Sequence, residues 1–405
     1  MSSNLNILKN DLCLGCGLCA SLNKDCRMQI NSRGFYVPSS INSISKSTLT
    51  RLCPGINVQS DGKNNTSVWG NVESVYDAWS SDSEIRHSSA SGGVTTSLAI
   101  FLLESGKVDG VLHVGHDDDD YLHNRLFLSK NREEVKQHTS SRYAPADVFS
   151  SLFDILDENP NEKYVFIGKP CDIACVKNIQ REYKKYRNRI PYTLAIFCAG
   201  MPNYNGTLKA IDTFKIDSTP VSIRYRGDGW PGYFTVRYQN GTTKRMTYTE
   251  SWRDILSHEL GFRCKICPDG IGLLADIASG DSWKTKDGYP DFTDSEGKNF
   301  CFIRTKEGER IFQEACDNGY IIKERINTEA IKTQQRYQFF RRHLVGWRIA
   351  IVQILTFGML RFKGLGIYRM AARTRSYKEA IIDAFGTATR LIKTKKRWSR
   401  DIKNS

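Results

Sequence analysis

The amino-acid sequence predicts an α/β fold in three parts: a cysteine-rich N-terminal segment, an α/β body and a basic, helical C-terminal tail. Three observations lead to this prediction. Cysteines cluster in a short run near the N-terminus, strand and helix patterns alternate from Ser74 onward, and positive charge collects after Ile331. We expect the parts to comprise residues 1–58, 68–325 and 331–405.

The N-terminal run Leu12–Ala20 reads L-C-L-G-C-G-L-C-A and carries Cys13, Cys16 and Cys19 at two-residue gaps. Such gaps bring successive sulfurs to one side of a tight loop, and the glycines between them let the backbone pass close to a cluster. A zinc site more often draws two ligand pairs from distant places. The run therefore predicts a ferredoxin-like [4Fe-4S] site, and the alternative is three reduced thiols in a glycine-rich turn.

The fourth ligand of this cluster is expected at Cys53, which stands before Pro54 as a returning ligand. Cys26 lies closer to the run, but Arg27 follows it instead of proline, so Cys26 is a spare or a substitute ligand. The second C-x-x-C-x-x-C of a full ferredoxin repeat is missing. We therefore expect one cluster in this segment, followed by a polar linker at Asn57–Ser67.

Two predicted strands of the body each deliver a cysteine to the same sheet edge. The buried strand Y-V-F-I-G leads to Cys171 near the start of a helix, and the next strand leads to Cys198. Ligands collect at the carboxyl ends of strands in open α/β sheets, and a helix N-terminus favours a thiolate. The C-x-x-C of Cys264 and Cys267 alone could serve zinc, a redox dithiol or half a cluster. Together the four cysteines indicate a second metal site.

A Ser/Gly-rich turn, S-S-A-S-G-G-V at Ser88–Val94, opens the apolar helical run Thr95–Glu104. Free backbone amides at such a helix N-terminus can hold an anion, typically a cofactor phosphate. The alternative is a helix that is simply capped.

Composition indicates a globular protein of two or three domains. The chain has 405 residues, of which 40% are hydrophobic and 11% aromatic, so a sizeable core is expected. The polar stretch Met1–Asn10 lacks the apolar core of a signal peptide. We therefore expect a cytoplasmic protein, in which the 12 cysteines serve metal or redox chemistry more readily than disulfides.

The formal charge of +14 lies entirely in the tail. From Ile331 to Ser405 there are 18 Lys and Arg residues against 3 acidic ones, which leaves 58 − 18 = 40 basic and 44 − 3 = 41 acidic residues elsewhere. A neutral body argues against nucleic-acid binding. The apolar stretch Ile349–Leu360 is too short to span a bilayer. Its basic surroundings predict peripheral contact with the inner face of a membrane, and the alternative is a helical hairpin packed on the body.

A series of short motifs between residues 13 and 283 resembles a known family. In order they are C-L-G-C-G-L-C, G-F-Y-V-P, S-S-A-S-G-G-V, S-S-R-Y, G-K-P-C-D, C-A-G, G-W, C-K-I-C-P-D and A-D-I-A-S-G-D-S-W. Each is weak alone, but their shared order resembles the coenzyme F420 hydrogenase/dehydrogenase beta-subunit family. Within that family, the chain is similar to the bacterial type found with polysaccharide-biosynthesis genes. The tail after about residue 330 has no counterpart in the resemblance.

The resemblance implies an α/β flavin-binding body that holds FAD beside iron–sulfur clusters, with the second [4Fe-4S] cluster on the four later cysteines. Carried over by position, the residues that contact FAD are Ser89, Ser91, Gly92, Gly93, Arg142 and Tyr143. The absence of a second C-x-x-C-x-x-C departs from the family pattern and puts its usual cluster count in question.

The activity that the resemblance implies is an electron relay. A one-electron donor such as a ferredoxin exchanges electrons with a small-molecule organic acceptor through the clusters and FAD. No side chain in the sequence stands out as the catalytic acid or base. The rival interpretation is a non-catalytic, cluster-bearing scaffold protein recruited to a membrane-associated polysaccharide-synthesis assembly.

Overall fold

The structure is a computed structural model that describes residues 4–61, 67–116, 120–374 and 376–401. The strands are β1 (Met28–Ile30), β2 (Tyr36–Pro38), β3 (Asn57–Gln59), β4 (Ser74–Ser80), β5 (Gly110–His116), β6 (Asn124–Ser129), β7 (Tyr164–Gly168), β8 (Tyr192–Ile196), β9 (Pro220–Arg224), β10 (Tyr233–Tyr238), β11 (Thr243–Thr247), β12 (Ile277–Asp281), β13 (Thr285–Lys286), β14 (Tyr289–Pro290), β15 (Asn299–Ile303), β16 (Ile321–Arg325) and β17 (Arg361–Lys363). The helices are α1 (Leu5–Lys9), α2 (Leu18–Leu22), α3 (Lys46–Leu52), α4 (Ser83–Ser88), α5 (Val94–Glu104), α6 (Arg132–Gln137), α7 (Leu152–Glu158), α8 (Pro170–Glu182), α9 (Tyr204–Asp212), α10 (Phe262–Lys265), α11 (Lys306–Asp317), α12 (Thr328–Gln334), α13 (Arg336–Leu355), α14 (Ile367–Ala372) and α15 (Tyr377–Asp401).

A mixed α/β sheet forms the centre of the molecule, as the alternation of patterns predicted. Within the described ranges it has eight strands in the order β16-β4-β15-β12-β8-β7-β5-β6. The inner strands β12, β8, β7 and β5 are parallel, and antiparallel strands flank them on both sides. The inner strands are almost continuously apolar because both faces of the sheet are covered.

Helices bury the two faces of this sheet in separate cores. On one face, α5 and α11 pack Leu98 and Phe312 against strand residues such as Val165. On the other face, α8 packs Ile173 and its neighbours against Phe166. Because side chains alternate along a strand, Val165 and Phe166 point to opposite faces. The carboxyl ends of β7, β8 and β12 thus meet along one edge between the two layers.

A smaller antiparallel sheet, β11-β10-β9, forms a second lobe with α9. Its core contains Tyr225, Phe234 and Val236 of the sheet together with Tyr204 of α9. Asn240-Gly241 makes the turn between β10 and β11, with Gly241 at a φ of 83°.

The N-terminal segment and the C-terminal helices share one core. Leu12 and Leu49 pack with Val345 and Ile349 of α13 and with Leu391 of α15. Strand β3 also pairs in parallel with β17. The tail is therefore packed on the rest of the chain, which is the arrangement that the hairpin alternative described. The three domain ranges stay a prediction, since these parts bury their apolar residues together.

The predicted linker Asn57–Ser67 is wrong in its first residues, which form β3. Asn57 is buried and its carbonyl accepts a hydrogen bond from Asn178 of α8 at 3.1 Å, so its polar backbone is satisfied inside the fold. Residues 62–66 of this stretch lie outside the described residues. Across the described ranges, each helix is too short or too polar to cross a membrane.

Candidate redox site

The first cysteine group, Cys13, Cys16, Cys19 and Cys53, is brought together by a loop and two short helices. Cys13 and Cys16 lie in the loop before α2, Cys19 lies in α2, and Cys53 caps the C-terminus of α3. Burial raises the pKa of the Cys13 and Cys19 thiols, and of Cys53 to about 12, and the neighbouring thiolates of the group raise each of them further. Thiolates that repel one another in this way are suited to a shared cationic partner.

Glycines make the loop of this group tight. Gly15 and Gly17 have φ values of 65° and 87°, in the left-handed region that disfavours side chains. A Cβ atom on Gly17 would overlap the carboxylate of Asp147. The Cys16 carbonyl accepts a hydrogen bond from the amide of Phe149 at 2.9 Å, which fixes the loop to the body.

Two more cysteines lie beside the first group. Cys26 is 2% exposed, and its charge acts on the Cys19 thiol. Cys175 is fully buried on α8 and makes a thiol hydrogen bond with Cys16. Helix α8 therefore carries Cys171 in its first turn and, one turn later, a thiol that touches the first group.

The second cysteine group, Cys171, Cys198, Cys264 and Cys267, lines one small cavity of about 20 Å³. Cys171 is in the first turn of α8, Cys198 follows β8, Cys264 lies in α10 and Cys267 comes just after it. Cys16 of the first group lines the same cavity. The fold thus gathers four cysteines from separate elements and sets them next to the first group.

Two cations, one half-buried and one buried, border the second group. Lys169 forms an ion pair with Asp172 at 2.7 Å. Desolvation lowers the pKa of Lys169, but the negative charges of Asp172 and Cys171 have the larger effect, so the pKa is raised overall. Arg263 is 2% exposed and donates to the carbonyls of Gly55 and Pro54 at 2.6 and 3.0 Å. The Nη1 atom of Arg263 is buried and has no hydrogen-bond partner within the described part of the chain.

The donor chemistry of both groups fits an iron–sulfur cluster better than a single ion. Among the described residues, no three His, Cys, Asp or Glu side chains are arranged to hold one metal ion. A four-iron cluster instead takes one thiolate on each of four irons, so its cysteines stand around a larger volume. Four partly buried thiols, neighbouring cations and the unpartnered N–H of Arg263 suit such a cluster, whose sulfurs accept hydrogen bonds.

A larger cavity of about 290 Å³ adjoins the second group. Most of the residues that the family resemblance assigned to FAD line it: Ser89, Ser91, Gly93, Arg142 and Tyr143. Gly92 belongs to the same turn and packs against the sheet, where a Cβ atom would stand 2.8 Å from the Asn299 amide. The six residues are thus grouped around one cavity.

The N-terminus of α5 opens into this cavity. Gly93 caps the helix at a φ of 77°, and the first hydrogen bond of the helix runs from the Ser97 amide to the Gly93 carbonyl. The amides of Thr95 and Thr96 precede that bond, and both residues line the cavity. The buried Ser89 hydroxyl has no partner among the described residues. These donors fit a phosphate group.

Arg142 and Tyr143 build the cavity wall. Arg142 donates to the Asn124 side chain at 2.7 Å and to the Ile223 carbonyl at 3.0 Å, so its guanidinium ties the smaller sheet to β6. The Tyr143 hydroxyl accepts a hydrogen bond from Arg226 at 3.4 Å, and its ring packs on Trp252. Both residues therefore shape the cavity through protein contacts.

Sequence reasoning missed a buried ion pair and aromatic cluster in this wall. Arg226 is paired with Asp281 by two hydrogen bonds of 2.9 and 3.1 Å. Trp283 and Tyr248 lie beside Arg226, with ring centroids 5.3 and 4.8 Å from its guanidinium carbon. The G-D-S-W motif contains Asp281 and Trp283, and so it was a signal for half of this cluster.

The three sites are contiguous. Cys16 links the first cysteine group to the small cavity, and Cys198 lines both the small and the large cavity. Lys169 and Asp172 also line both. They lie at the carboxyl edge of the parallel strands, which is where α/β sheets bind ligands.

Two sequence models of one family match this chain. One describes the N-terminal part of the coenzyme F420 hydrogenase/dehydrogenase beta subunit and matches residues 75–152. The other describes the C-terminal part of the same protein and matches residues 161–329. The chain belongs to this family. The first cysteine run and the C-terminal helices lie outside the two matched ranges.

Relatives from Methanococcus and Methanocaldococcus are similar to this chain at low identity. The coenzyme F420 hydrogenase subunit beta of Methanococcus voltae is 26% identical over 262 residues, which cover 64% of this chain and 86% of that protein. The F420-dependent formate dehydrogenase subunit beta of Methanocaldococcus jannaschii is 24% identical, over 65% of this chain and 67% of that one.

Two further relatives from Methanocaldococcus jannaschii are longer than the shared part. The coenzyme F420-dependent sulfite reductase is 27% identical over 62% of this chain, which is 38% of its own length. An uncharacterized protein is 27% identical over 60% of this chain and 63% of its own length. The chain thus spans less than two thirds of these two relatives.

A solved structure from the F420-reducing [NiFe] hydrogenase complex of Methanosarcina barkeri has a similar fold. One of its chains superimposes with a TM-score of 0.55 at 21% identity and covers 74% of this chain and 98% of that chain. At this identity the likeness concerns the fold alone. The mixed α/β fold predicted from the sequence is thereby confirmed.

Proposed function

We propose that this protein is an iron–sulfur flavoprotein oxidoreductase that relays electrons between a one-electron donor, such as a ferredoxin, and a small organic acceptor. Family membership supports this proposal, since relatives are named as F420-dependent hydrogenase, formate dehydrogenase and sulfite reductase proteins. The observation that carries it is the contiguity of the two cysteine groups and the large cavity, joined by Cys16 and Cys198.

The residues that would hold the clusters are the two cysteine groups, in a ferredoxin-like N-terminal segment and in the body. When bound, the clusters carry single electrons and FAD exchanges electron pairs with an organic molecule. Residues of helices α8, α10 and α13 line the cavity of the second cysteine group and leave its thiols partly buried.

In the large cavity, the Ser89–Gly93 turn and the α5 N-terminus would bind the diphosphate of FAD through backbone amides. The Arg226–Asp281 pair and the aromatic rings of Trp283 and Tyr248 give a wall that is apolar apart from one neutralised ion pair. Such a wall excludes water from a reacting ring and leaves the cavity open to a small acceptor.

The direct test is protein purified without oxygen, analysed for iron, sulfide and flavin. We expect about eight iron atoms per chain, which corresponds to two [4Fe-4S] clusters, and we expect denaturation to release FAD. Thr96→Glu should weaken FAD binding at least about tenfold, because its carboxylate would face the phosphates, while the uncharged Thr96→Gln should retain most of it. Protein that holds neither iron nor flavin when purified and reconstituted would contradict the proposal.

The second candidate is a cluster-bearing scaffold for a membrane-associated polysaccharide-synthesis assembly. It is favoured by the C-terminal helices, which lie outside the family match yet are packed on the first cysteine group. A preparation that carries iron, lacks FAD and fails to take it up would favour the scaffold over the enzyme.

In either case, α15 would contact the anionic inner face of a membrane. Ala384 and Leu391 are buried, whereas Ile381, Phe385 and Ile392, which share a neighbouring face of the helix, are 46%, 65% and 45% exposed. Exposed basic side chains surround this apolar stripe: Lys378, Arg390, Lys393, Lys396 and Arg397. Apolar side chains flanked by Lys and Arg are typical of helices that lie in the plane of an anionic membrane surface.

Vesicle sedimentation tests this contact. Wild-type protein should sediment with vesicles of phosphatidylglycerol and phosphatidylcholine, and less so at high salt, but not with phosphatidylcholine alone. Ile381→Ser combined with Phe385→Ser should remove this binding, while Ile30→Ser, which changes a similarly exposed isoleucine in β1, should not. Wild-type protein that ignores anionic vesicles at low salt would contradict the contact.

A further inference from the structure

Arg341 of α13 reaches into the second cysteine group. It lies 12 residues beyond residue 329, where the family match ends, in the part of the chain predicted to be a separate tail. Its side chain is buried, at 4% exposure, and lines the same cavity as Cys171, Cys198, Cys264 and Cys267.

The guanidinium of Arg341 connects the backbones of three cysteines in this group. Its Nη2 atom donates to the Cys264 carbonyl at 2.8 Å and to the Cys267 carbonyl at 3.4 Å. Its Nη1 atom donates to the Cys198 carbonyl at 3.4 Å. The neighbouring Gln338 also donates to the Cys198 carbonyl, at 2.9 Å. One helix thus fixes both loops that present these thiols.

The approach of α13 to these loops depends on a glycine. A Cβ atom on Gly270, just after the C-x-x-C, would stand 2.6 Å from Gln338 Oε1 and 3.1 Å from Arg341 Nη1. The loop is therefore shaped to receive these two side chains. A helix that only happened to lie nearby would not require this close backbone approach.

The Nε atom of Arg341 is buried and has no hydrogen-bond partner within the described residues. A buried guanidinium N–H normally finds an acceptor, and no protein oxygen is supplied to this one. Arg263 lines the same cavity, and its buried Nη1 atom also has no hydrogen-bond partner among the described residues. Two unpartnered, positively charged donors at a cavity of thiols match the sulfurs of an anionic cluster.

We propose that Arg341 is a positioning residue of the second cysteine group, which holds the Cys198 and Cys264–Cys267 loops and raises the reduction potential of the cluster they bind. This proposal rests on the proposed iron–sulfur function. A nearby positive charge stabilises the reduced form of a cluster, because reduction adds a negative charge. The C-terminal helices are accordingly part of the redox site.

The experiment compares Arg341→Gln, Arg341→Lys and the control Arg304→Gln. Arg304 is a suitable control because it is also buried, donates to three carbonyls and has an unpartnered Nε atom, but does not line the cysteine cavity. The readouts are iron content, the electron paramagnetic resonance signal of each cluster during a potentiometric titration, and the thermal melting curve.

In Arg341→Gln we expect a more negative midpoint potential for the second cluster, or loss of its iron alone, while the signal of the first cluster stays. Arg341→Lys keeps the charge but cannot bridge three carbonyls, so its potential should lie between those of wild type and Arg341→Gln. Arg304→Gln should leave both potentials as in wild type.

An unchanged potential with full iron in Arg341→Gln would overturn the proposal, and so would an equal shift in Arg304→Gln. If Arg341→Gln does not fold, Arg341→Lys decides: an unchanged iron content, potential and melting curve would reject the positioning role. Wild-type protein without clusters would instead contradict the proposed function, so the two failures can be told apart.

Discussion

The two cysteine groups are built in opposite ways. The first takes three of its four cysteines from one run of seven residues, Cys13–Cys19, whose geometry is set by glycine turns. The second takes one cysteine from α8, one from the end of β8 and two from α10 and the residues after it. A local group depends on loop conformation, whereas a dispersed group depends on the packing of the whole body. The substitutions below separate these two kinds of dependence.

The largest effect is expected for Cys171→Ser. This change should remove about four irons per chain, since a serine is a poor ligand for this type of cluster. It should also lower the melting temperature more than Cys16→Ser does. The reason is that the second cluster would join elements that are farther apart along the chain than those joined by the first cluster. Each doubling of the closed loop adds about 0.6 kcal/mol of chain entropy. Iron analysis measures the loss of the cluster, and calorimetry measures the melting temperature. A melting temperature equal to that of wild type would show that the second cluster does not stabilise the fold by joining these elements.

Cys16→Ser should also remove about four irons, but with a smaller loss of thermal stability. The signal of the second cluster should remain, though altered, because Cys16 lines the cavity of that group as well. Electron paramagnetic resonance of the reduced protein distinguishes the two clusters. An unchanged iron content would show that Cys16 is not a ligand.

Gly17→Ala tests the local geometry of the first group. The φ of 87° and the overlap of a Cβ atom with Asp147 both oppose a side chain here. We expect a loss of at least about 1–2 kcal/mol in the free energy of unfolding, together with partial loss of iron from the first group only. Gly241→Ala has a similar φ of 83° but open space around it, so it gives the cost of the conformation alone.

Cys26→Ser should have the smallest effect. Cys26 is buried near Cys19, and a hydroxyl at this position costs about 1 kcal/mol in stability. Iron content should match wild type if Cys53 is the fourth ligand, and Cys53→Ser should then lose the first cluster. Loss of iron in Cys26→Ser with retention in Cys53→Ser would exchange the two assignments.

The local group was accessible to sequence reasoning because its information is local. The C-x-x-C-x-x-C spacing names three cysteines within seven residues, and the Cys53-Pro54 pair suggests the fourth. Much of the order of strands and helices in the body was equally accessible from apolar periodicity, as in the strand Tyr164–Gly168, but the central strand β12 was not predicted. The grouping of Cys171 with Cys198 followed from the rule that strand ends share a sheet edge.

The partners of these cysteines were decided by the tertiary structure. Nothing near Arg341 in the sequence indicates that its guanidinium meets the carbonyls of Cys198 and Cys264, because the basic run around it is equally typical of a solvated tail. The pairing of Arg226 with Asp281 in the wall of the large cavity is similarly invisible in the sequence. Local patterns determine which cysteines can converge, because spacing fixes loop geometry. Long-range packing decides which cations and aromatic rings surround these cysteines. Residues that are far apart in the chain become neighbours only when the hydrophobic cores have formed.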